Sequence, residues 1–390
     1  MAVMPRRILW QIPSLHTEGD ADQHRKVTWL ELFFDLFFVV GVSQLSYTLL
    51  GPLQPSRLLS YALLFVPLWW TWISFTIYQE RFETEGLDQR IFTYLFMIPV
   101  AGMAIYAHDA FGQSADGFGG SYLLGRILIV FLWARASIHN PRFRPVGWIY
   151  VAGFSVSAIC FLLSIGSSRS FKYVLWTAGL VADLCTPWLC IRQQAKLPRL
   201  ATSKITERYG LFVIIVLGEV VVGLINGLSQ NHVFTRAAIG PALLGLAIGF
   251  GLWWIYFDFI ARRSPGRNFF LTISWSYLHM PLVLALAATG PGLVNLVTHK
   301  GASWLLPAAV GAALAVMGLM ERTLAREPGE PTHPWTSPLL KWMAAGGLFV
   351  LASFGKWGAL ATLGGVLLSL ALPMGYGVWV WFRRDLPESW

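Results

Sequence analysis

Residues 27–49 read VTWLELFFDLFFVVGVSQLSYTL. This stretch is long and apolar enough to cross a bilayer, which takes about 20 residues as a helix. It nevertheless carries Glu31 and Asp35, which lie four residues apart and so share one face of the helix. A carboxylate near the centre of a membrane helix costs about 2.5–3.5 kcal/mol. We therefore predict that this face contacts protein or water, either as a functional site or as a hydrogen-bonded packing seam.

The composition of the whole chain is that of an integral membrane protein. Of its 390 residues, 55% are hydrophobic and 13% are charged, whereas soluble proteins carry about 25% charged residues. The net charge of +9 comes from basic residues dispersed at predicted helix ends, which argues against a nucleic-acid-binding patch. The three cysteines, Cys160, Cys185 and Cys190, all lie in apolar runs and predict neither a disulfide framework nor a thiolate metal site.

Long apolar runs separated by short polar gaps predict an all-α, polytopic membrane bundle of twelve transmembrane helices. We place the spans near residues 29–50, 58–78, 91–108, 121–138, 147–165, 171–191, 209–228, 238–260, 270–289, 302–320, 339–354 and 359–382. Residues 1–26 lack the apolar core of a secretory signal peptide, so we expect the first helix to stay in the mature protein. The predicted organisation is a tail (1–26), a first half (27–191), a basic connector (192–208), a second half (209–382) and a second tail (383–390).

The distribution of lysine and arginine between alternate loops gives the predicted orientation. Most of the 29 basic residues fall in one set of segments, which includes both tails and the basic connector. The opposite set contains only Arg57, Arg169, Lys172, Arg236, Lys300 and Lys356. Because positively charged loops stay on the cytoplasmic side, we predict that both termini are cytoplasmic.

Short motifs recur in the two halves at nearly the same spacing. The tripeptide LWW at residues 68–70 recurs at residues 252–254, and YLFM at residues 94–97 is matched by YLHM at residues 277–280. Since six is an even number of spans, duplicated halves would enter the membrane in the same orientation, related by an axis along the membrane normal. We therefore predict a six-plus-six parallel repeat with a shared cavity at the seam between the halves.

Ionisable residues in or near the spans are the candidate site. Burying charges in one cluster is more economical than burying each alone, so we assign one proton or substrate site to Glu31, Asp35, Glu207, Arg208, Glu219, Asp258 and His279. Arg126 and Asp183 also lie within spans but are left outside the site. The alternative is that each acid is satisfied by a nearby hydroxyl, tryptophan N–H or arginine and only fixes the register of its helix.

Other kinds of site find no support in the sequence. The chain has no dinucleotide or P-loop fingerprint, no HExxH and no GxSxG. We therefore predict no cofactor and no metal centre. The expected partners are the lipid bilayer, protons and a small-molecule substrate, without nucleic acid.

Four segments in order resemble the bacterial low temperature requirement protein A family. They are VTWLELFFDLFFVVGVSQLS at 27–46, ITERYGLFVIIVLGE at 205–219, LWWIYFDF at 252–259 and SYLHMPLV at 276–283. The resemblance implies a polytopic protein of the bacterial inner membrane, in a family named for a growth phenotype in the cold, and it implies no particular reaction. The motif positions that carry over are Glu31, Phe34, Asp35, Glu207, Arg208, Gly210, Glu219, Asp258 and His279. Two positions depart from the family pattern: Lys204 stands where histidine is common, and Val220 where serine is common.

These observations leave three hypotheses for the function. The favoured one is a proton-coupled secondary transporter, in which Asp35 and Glu219 titrate, Glu31 forms a cytoplasmic gate with Arg208, and His279 is a relay or substrate contact. The second is an intramembrane enzyme acting on a lipid or isoprenoid, in which the acids bind a divalent cation or protonate the substrate. The third is a membrane-organising or regulatory protein in cold adaptation, without turnover.

Overall fold

A computed structural model of the protein describes residues 10–15, 27–82, 86–198, 202–230, 236–266, 268–298, 301–326, 333–354 and 357–382. Within these ranges the chain is all-α, without a named strand and with one isolated antiparallel bridge between Pro265 and Leu324. Each predicted span overlaps one long helix: α1 (Trp29–Tyr47), α2 (Pro55–Arg81), α3 (Leu87–Tyr106), α4 (Ala115–His139), α5 (Arg144–Ser164), α6 (Arg169–Leu189), α7 (Thr202–Gln230), α8 (Arg236–Tyr256), α9 (Phe269–Thr298), α10 (Leu305–Glu321), α11 (Thr336–Ser353) and α12 (Ala359–Phe382). A single helical turn, Ile191–Gln194, follows α6, and α8 continues into a π-helical turn, Phe257–Ala261.

Length and hydropathy qualify nine of the helices in the described ranges to cross a membrane. These are α1 to α5, α7, α8, α9 and α12. Of the others, α10 is apolar but has only 17 residues, while α6 and α11 each bury a lysine, Lys172 and Lys341. The chain is thus a multi-pass helical membrane protein, and the count of twelve spans stays a prediction.

The two sides of α1 differ in what they contact. Phe34, Phe38 and Val42, at steps of four residues, are buried in the bundle, and the two acids share this side of the helix. Phe33 and Val40 on the other side are exposed. Exposed aromatic and aliphatic side chains are expected where a helix faces lipid, since lipid tails are as apolar as these side chains. The acids therefore lie on the protein-facing side, as the sequence predicts.

The described chain divides into two compact units. The first consists of the described parts of Met1–Leu45 and Ala62–Arg208. Within it α3 packs on α4, α4 on α5, and α5 on α6. Successive residues of a helix are turned by about 100°. Trp72 and Gln79 of α2 therefore lie on one side of the helix, and Trp70 and Ser74 lie on the opposite side. Both sides of α2 thus carry polar groups. Each side contacts a separate set of buried charges.

The second unit consists of the described parts of Ser46–Tyr61 and Tyr209–Trp390. Its longest helix, α9, packs on α10, while α8 packs on α12. Asn295 of α9 fixes the turn that follows α1: its Oδ1 accepts a hydrogen bond from the Gly51 N–H at 2.8 Å, and its Nδ2 donates to the Leu49 carbonyl at 2.9 Å. Gly51 has a φ of +79°, which glycine adopts without strain. The predicted repeat relation between the halves of the chain stays a prediction.

Candidate functional site

Glu31 and Asp35 of α1 are almost completely buried, with 1% and 0% of their surface exposed. Glu31 also caps its own helix. Its Oε2 accepts hydrogen bonds from the backbone N–H and the hydroxyl of Thr28 at 2.9 and 3.0 Å, and the Thr28 hydroxyl oxygen accepts one from the Glu31 N–H. This reciprocal capping box satisfies donors at the helix start that would otherwise lack partners. The other carboxylate oxygen of Glu31, Oε1, takes no part in the capping box and forms the ion pairs with Lys204 and Arg208.

Two cations at the start of α7 balance the two acids. Lys204 Nζ lies 3.2 Å from Glu31 Oε1, and Arg208 Nη1 lies 3.6 Å from the same oxygen. Arg208 Nη2 lies 3.2 Å from Asp35 Oδ1. Lys204 and Arg208 are 1% and 0% exposed, and their spacing of four residues matches that of the acids on α1. The four formal charges cancel, which offsets part of the cost of removing them from water.

Helix α2 adds two polar side chains to this arrangement. Trp72 Nε1 donates a hydrogen bond to Asp35 Oδ1 at 2.8 Å, and Gln79 Oε1 accepts one from Arg208 Nη1 at 3.0 Å. Asp35 Oδ1 therefore accepts from two donors, whereas Asp35 Oδ2 has no hydrogen-bond partner in the described part of the chain. We refer to the six residues as the charge network: Glu31, Asp35, Trp72, Gln79, Lys204 and Arg208.

A small cavity adjoins the charge network at Gln79. Its volume is about 20 Å³, and its lining includes Gln79, Asp88 and Arg135; a single buried water needs roughly 10–15 Å³. Gln79 Nε2 donates to the Thr93 hydroxyl at 3.3 Å, and Arg135 Nη2 lies 3.1 Å from Asp88 Oδ2. Polar side chains thus continue from Arg208 through Gln79 to the ion pair between Asp88 and Arg135.

A second buried ion pair contacts the opposite side of α2. Arg126 Nη1 of α4 lies 3.6 Å from Asp183 Oδ1 of α6, and both side chains are completely buried. The hydroxyls of Tyr122 and Ser157 donate to Asp183 Oδ2, the latter at 2.6 Å, and Arg126 Nη1 donates to Ser74 Oγ at 3.3 Å. The sequence identifies both charges as lying within spans, but nothing in it pairs them. Their pairing depends on how α2, α4, α5 and α6 pack.

Four of the predicted site residues, Glu207, Glu219, Asp258 and His279, lie outside the charge network. Glu207, next to Arg208 in the chain, is exposed, because one step along a helix turns a side chain by 100°. Glu219 is half-buried in the second unit. Asp258 lies in the π-helical turn and is exposed, with Trp254 Nε1 at 2.5 Å from its Oδ2 and the exposed Arg262 at 3.5 Å from its Oδ1.

His279 of α9 is completely buried in the second unit. Its Nε2 lies 3.0 Å from the Tyr256 hydroxyl, and its Nδ1 lies 2.9 Å from the Trp275 carbonyl. Because a carbonyl can only accept, Nδ1 of the neutral imidazole carries the proton and Tyr256 then donates to Nε2. The rings of Tyr209 and Trp275 lie 4.2 and 4.3 Å from the imidazole. Both ring nitrogens are thus hydrogen-bonded in an aromatic environment.

Of the seven predicted site residues, the structure brings together three, Glu31, Asp35 and Arg208. It adds Lys204, Trp72 and Gln79, which the sequence-based site omits. Among the described residues no group of three or more His, Cys, Asp or Glu side chains could hold a metal ion. The hypothesis of a cation-dependent enzyme therefore gains no ligand set from these ranges. One cavity shared by all seven residues stays a prediction.

Comparison with known proteins agrees with the resemblance in the four segments. The family model for the bacterial low temperature requirement A protein (LtrA) matches residues 26–375. An uncharacterized protein of Rhizobium meliloti is 25% identical over 290 residues, which cover 68% of this chain and 68% of that protein. No solved structure matches. Since the family model covers nearly the whole length, including the charge network, the chain belongs to the bacterial low temperature requirement A family.

Proposed function

We propose that the protein is a proton-coupled secondary transporter of the bacterial inner membrane, with twelve spans in a six-plus-six parallel repeat and both termini in the cytoplasm. Two observations support this topology. Every predicted span overlaps a long helix, and lysine and arginine are concentrated in alternate loops. Transporters built from such repeats hold substrate and coupling ions near the middle of the membrane.

The observation that carries the proposal is the unequal pairing of the two acids in the charge network. Ionisable side chains within membrane bundles are costly and commonly mark proton or ion pathways. Glu31 is paired with both Lys204 and Arg208, whereas Asp35 is paired with Arg208 alone. Asp35 Oδ2 can also take a proton without breaking a hydrogen bond. Asp35 is therefore the carboxylate that we assign to proton binding.

Protonation of Asp35 would change the charge balance of the network. The hydrogen bond from Trp72 to Oδ1 can persist, but the ionic attraction between Asp35 and Arg208 is lost. Arg208 remains next to Glu31 at 3.6 Å and bonded to Gln79 at 3.0 Å. The protonated and ionised networks thus differ in the contacts that connect α1 with α7. A local electrostatic change of this kind can bias a bundle between two conformations.

The sequence adds two further residues to the proposal. Glu219, half-buried in α7, is the second carboxylate that we assign to proton binding. His279 is the relay or substrate contact, and its hydrogen bond to Tyr256 offers one route for a proton. The cavity beside Gln79 would admit one water between the charge network and the Asp88–Arg135 pair.

Proton movement in reconstituted vesicles tests this function. Purified protein is placed in vesicles that contain a pH-sensitive dye, and pooled small molecules from a bacterial extract are added outside. We expect the wild-type protein to change the internal pH. The double variant Asp35→Asn with Glu219→Gln should reduce the rate of the internal pH change to that of empty vesicles, because an amide side chain binds no proton near neutral pH.

The matched control is Asp116→Asn, since Asp116 is an exposed carboxylate at the start of α4 that pairs with Lys172 and lies outside the charge network. We expect this control to transport at the wild-type rate. Equal rates for the wild type and for the Asp35→Asn, Glu219→Gln double variant would exclude the proposed role of these acids.

One observation favours a second function, that of a membrane-organising protein without turnover. Four buried acids of the first unit have local partners: Glu31 and Asp35 in the charge network, Asp88 with Arg135, and Asp183 with Arg126, Tyr122 and Ser157. Pairs of this kind can fix the register of packed helices without any proton exchange. The vesicle measurement separates the two functions, because a scaffold produces no proton movement in any variant.

A further inference from the structure

The second unit contains an open cleft of about 140 Å³ at the ends of α8 and α10. This volume is several times the roughly 15 Å³ that one water needs, so the cleft can admit a group of several heavy atoms. Its lining includes three arginines, Arg263, Arg322 and Arg326, together with His333. The cleft is therefore large enough for a small anion, and its arginines carry the opposite charge.

The one acid among the described residues of the lining is already neutralised. Glu321 Oε1 lies 2.5 Å from Lys341 Nζ and accepts a hydrogen bond from the Ser337 hydroxyl at 2.9 Å. Lys341 is completely buried, and its ammonium group lies 3.7 Å from the centre of the Phe259 ring. Glu321 is thus paired with Lys341 and not with an arginine of the lining.

Backbone contacts hold the two arginine-bearing segments together. The Gly266 N–H donates to the Thr323 carbonyl at 2.8 Å, and the Ala325 N–H donates to the Ser264 carbonyl at 2.9 Å. This short ladder joins the chain after the π-helical turn to the chain after α10. Three guanidinium groups are consequently presented to one cleft by a fixed backbone.

Two of the arginines are also positioned by their own contacts. Arg263 Nη2 donates to the Ala325 carbonyl at 3.1 Å. Arg322 Nη1 donates to the Pro334 carbonyl at 3.2 Å, and its guanidinium lies 3.8 Å from the centre of the exposed Trp335 ring. Because a guanidinium has five N–H donors, the single hydrogen bond of Arg322 leaves donors that can bind a ligand. Arginine is the side chain best suited to bind phosphate oxygens in pairs.

We propose that this cleft binds a phosphate group, as carried by the headgroup of an acidic phospholipid. The candidate span of α8 ends at Ala261, immediately before the arginine-bearing segment, so the cleft lies where a lipid headgroup would be. In the proposed topology this is the cytoplasmic side, where basic pockets between membrane helices bind anionic lipids. The sequence between Arg326 and His333 adds Glu327 and Glu330, which lie outside the described residues. With Glu321 paired to Lys341, the lining still holds three arginines.

The test compares three probes on the full-length protein in detergent: soluble short-chain phosphatidylglycerol, soluble short-chain phosphatidylcholine and inorganic phosphate. Binding is followed by the rise in melting temperature and by native mass spectrometry. We expect phosphatidylglycerol to bind and phosphatidylcholine to bind much more weakly. The variant Arg322→Gln with Arg326→Gln should weaken phosphatidylglycerol binding roughly thirtyfold, since each basic residue near an anionic headgroup contributes about 1 kcal/mol.

Arg262→Gln is the matched control, because Arg262 lies in the same segment but pairs with Asp258 and does not line the cleft. We expect it to bind phosphatidylglycerol as the wild type does. If inorganic phosphate binds as tightly as phosphatidylglycerol, the cleft binds free phosphate and not a lipid. Equal loss of binding in Arg262→Gln and in the double variant would overturn the proposal, and so would wild-type binding in the double variant.

Discussion

Arg208→Gln is expected to lower the free energy of unfolding by about 3–5 kcal/mol, because it leaves two buried carboxylates with a single cation. Arg208 is completely buried and contacts Glu31, Asp35 and Gln79 at 3.6, 3.2 and 3.0 Å. Water cannot replace the lost charge, since no part of either acid is appreciably exposed. Unfolding is measured by titrating the detergent-solubilised protein with sodium dodecyl sulfate and following the far-ultraviolet circular dichroism.

A second substitution separates loss of charge balance from loss of packing. Adding Asp35→Asn to Arg208→Gln removes one acid along with the cation, so that Glu31 and Lys204 remain as a neutral pair. We expect the double variant to regain most of the lost stability. The matched control Arg90→Gln, which removes an exposed arginine at the start of α3, should change stability by less than about 0.5 kcal/mol. A double variant no more stable than Arg208→Gln would contradict this account of the network.

Asp183→Asn is expected to destabilise the first unit by a similar amount, about 3–5 kcal/mol, because it leaves Arg126 buried without a counterion. Asp183 accepts hydrogen bonds from Tyr122 and Ser157 in addition to its ion pair. The asparagine keeps a carbonyl oxygen for one or both hydroxyls, so the main loss is electrostatic. The same denaturation measurement applies.

Two further variants give the expected order of effects around Asp183. Ser157→Ala removes one hydrogen bond to a charged group, which is worth about 1.5–3 kcal/mol, and it should cost less than Asp183→Asn. Arg126→Met combined with Asp183→Asn removes both charges and should be more stable than Asp183→Asn alone. If the combined variant is the least stable of the three, unpaired charge is not the cause of the loss in Asp183→Asn.

The positions of the helices can be predicted from the sequence because the lipid bilayer restricts how the backbone can form hydrogen bonds. Backbone groups in hydrocarbon must be bonded within the segment, so long apolar runs become helices. The predicted end of α9 is the informative error: the prediction stops at residue 289, but the helix continues to Thr298 through Gly290, Pro291 and Gly292. A β-carbon on Gly292 would lie 2.9 Å from the Leu306 backbone, so this glycine permits close helix packing and does not end the helix.

The candidate site is less predictable, since side-chain orientation in an apolar helix leaves little trace in the sequence. The spacing of Glu31 and Asp35 predicts one shared face, and the structure confirms it. Lys204, which departs from the family pattern in the sequence, is an ion-pair partner of Glu31. Neither Trp72 nor Gln79 could be assigned, because their role depends on how α2 packs in the first unit. Asp258 was expected at the site, but the structure leaves it exposed.

Asp35 is the side chain of the charge network that we expect to bind and release a proton. Infrared difference spectroscopy can detect this, by recording the carbonyl band of a protonated carboxyl group as the purified protein is taken from about pH 8 to pH 5. We expect a band that appears on acidification in the wild type and in Asp116→Asn and that is missing in Asp35→Asn. Identical spectra for the wild type and Asp35→Asn would contradict it, since Asp35 would then keep a single protonation state over the whole range.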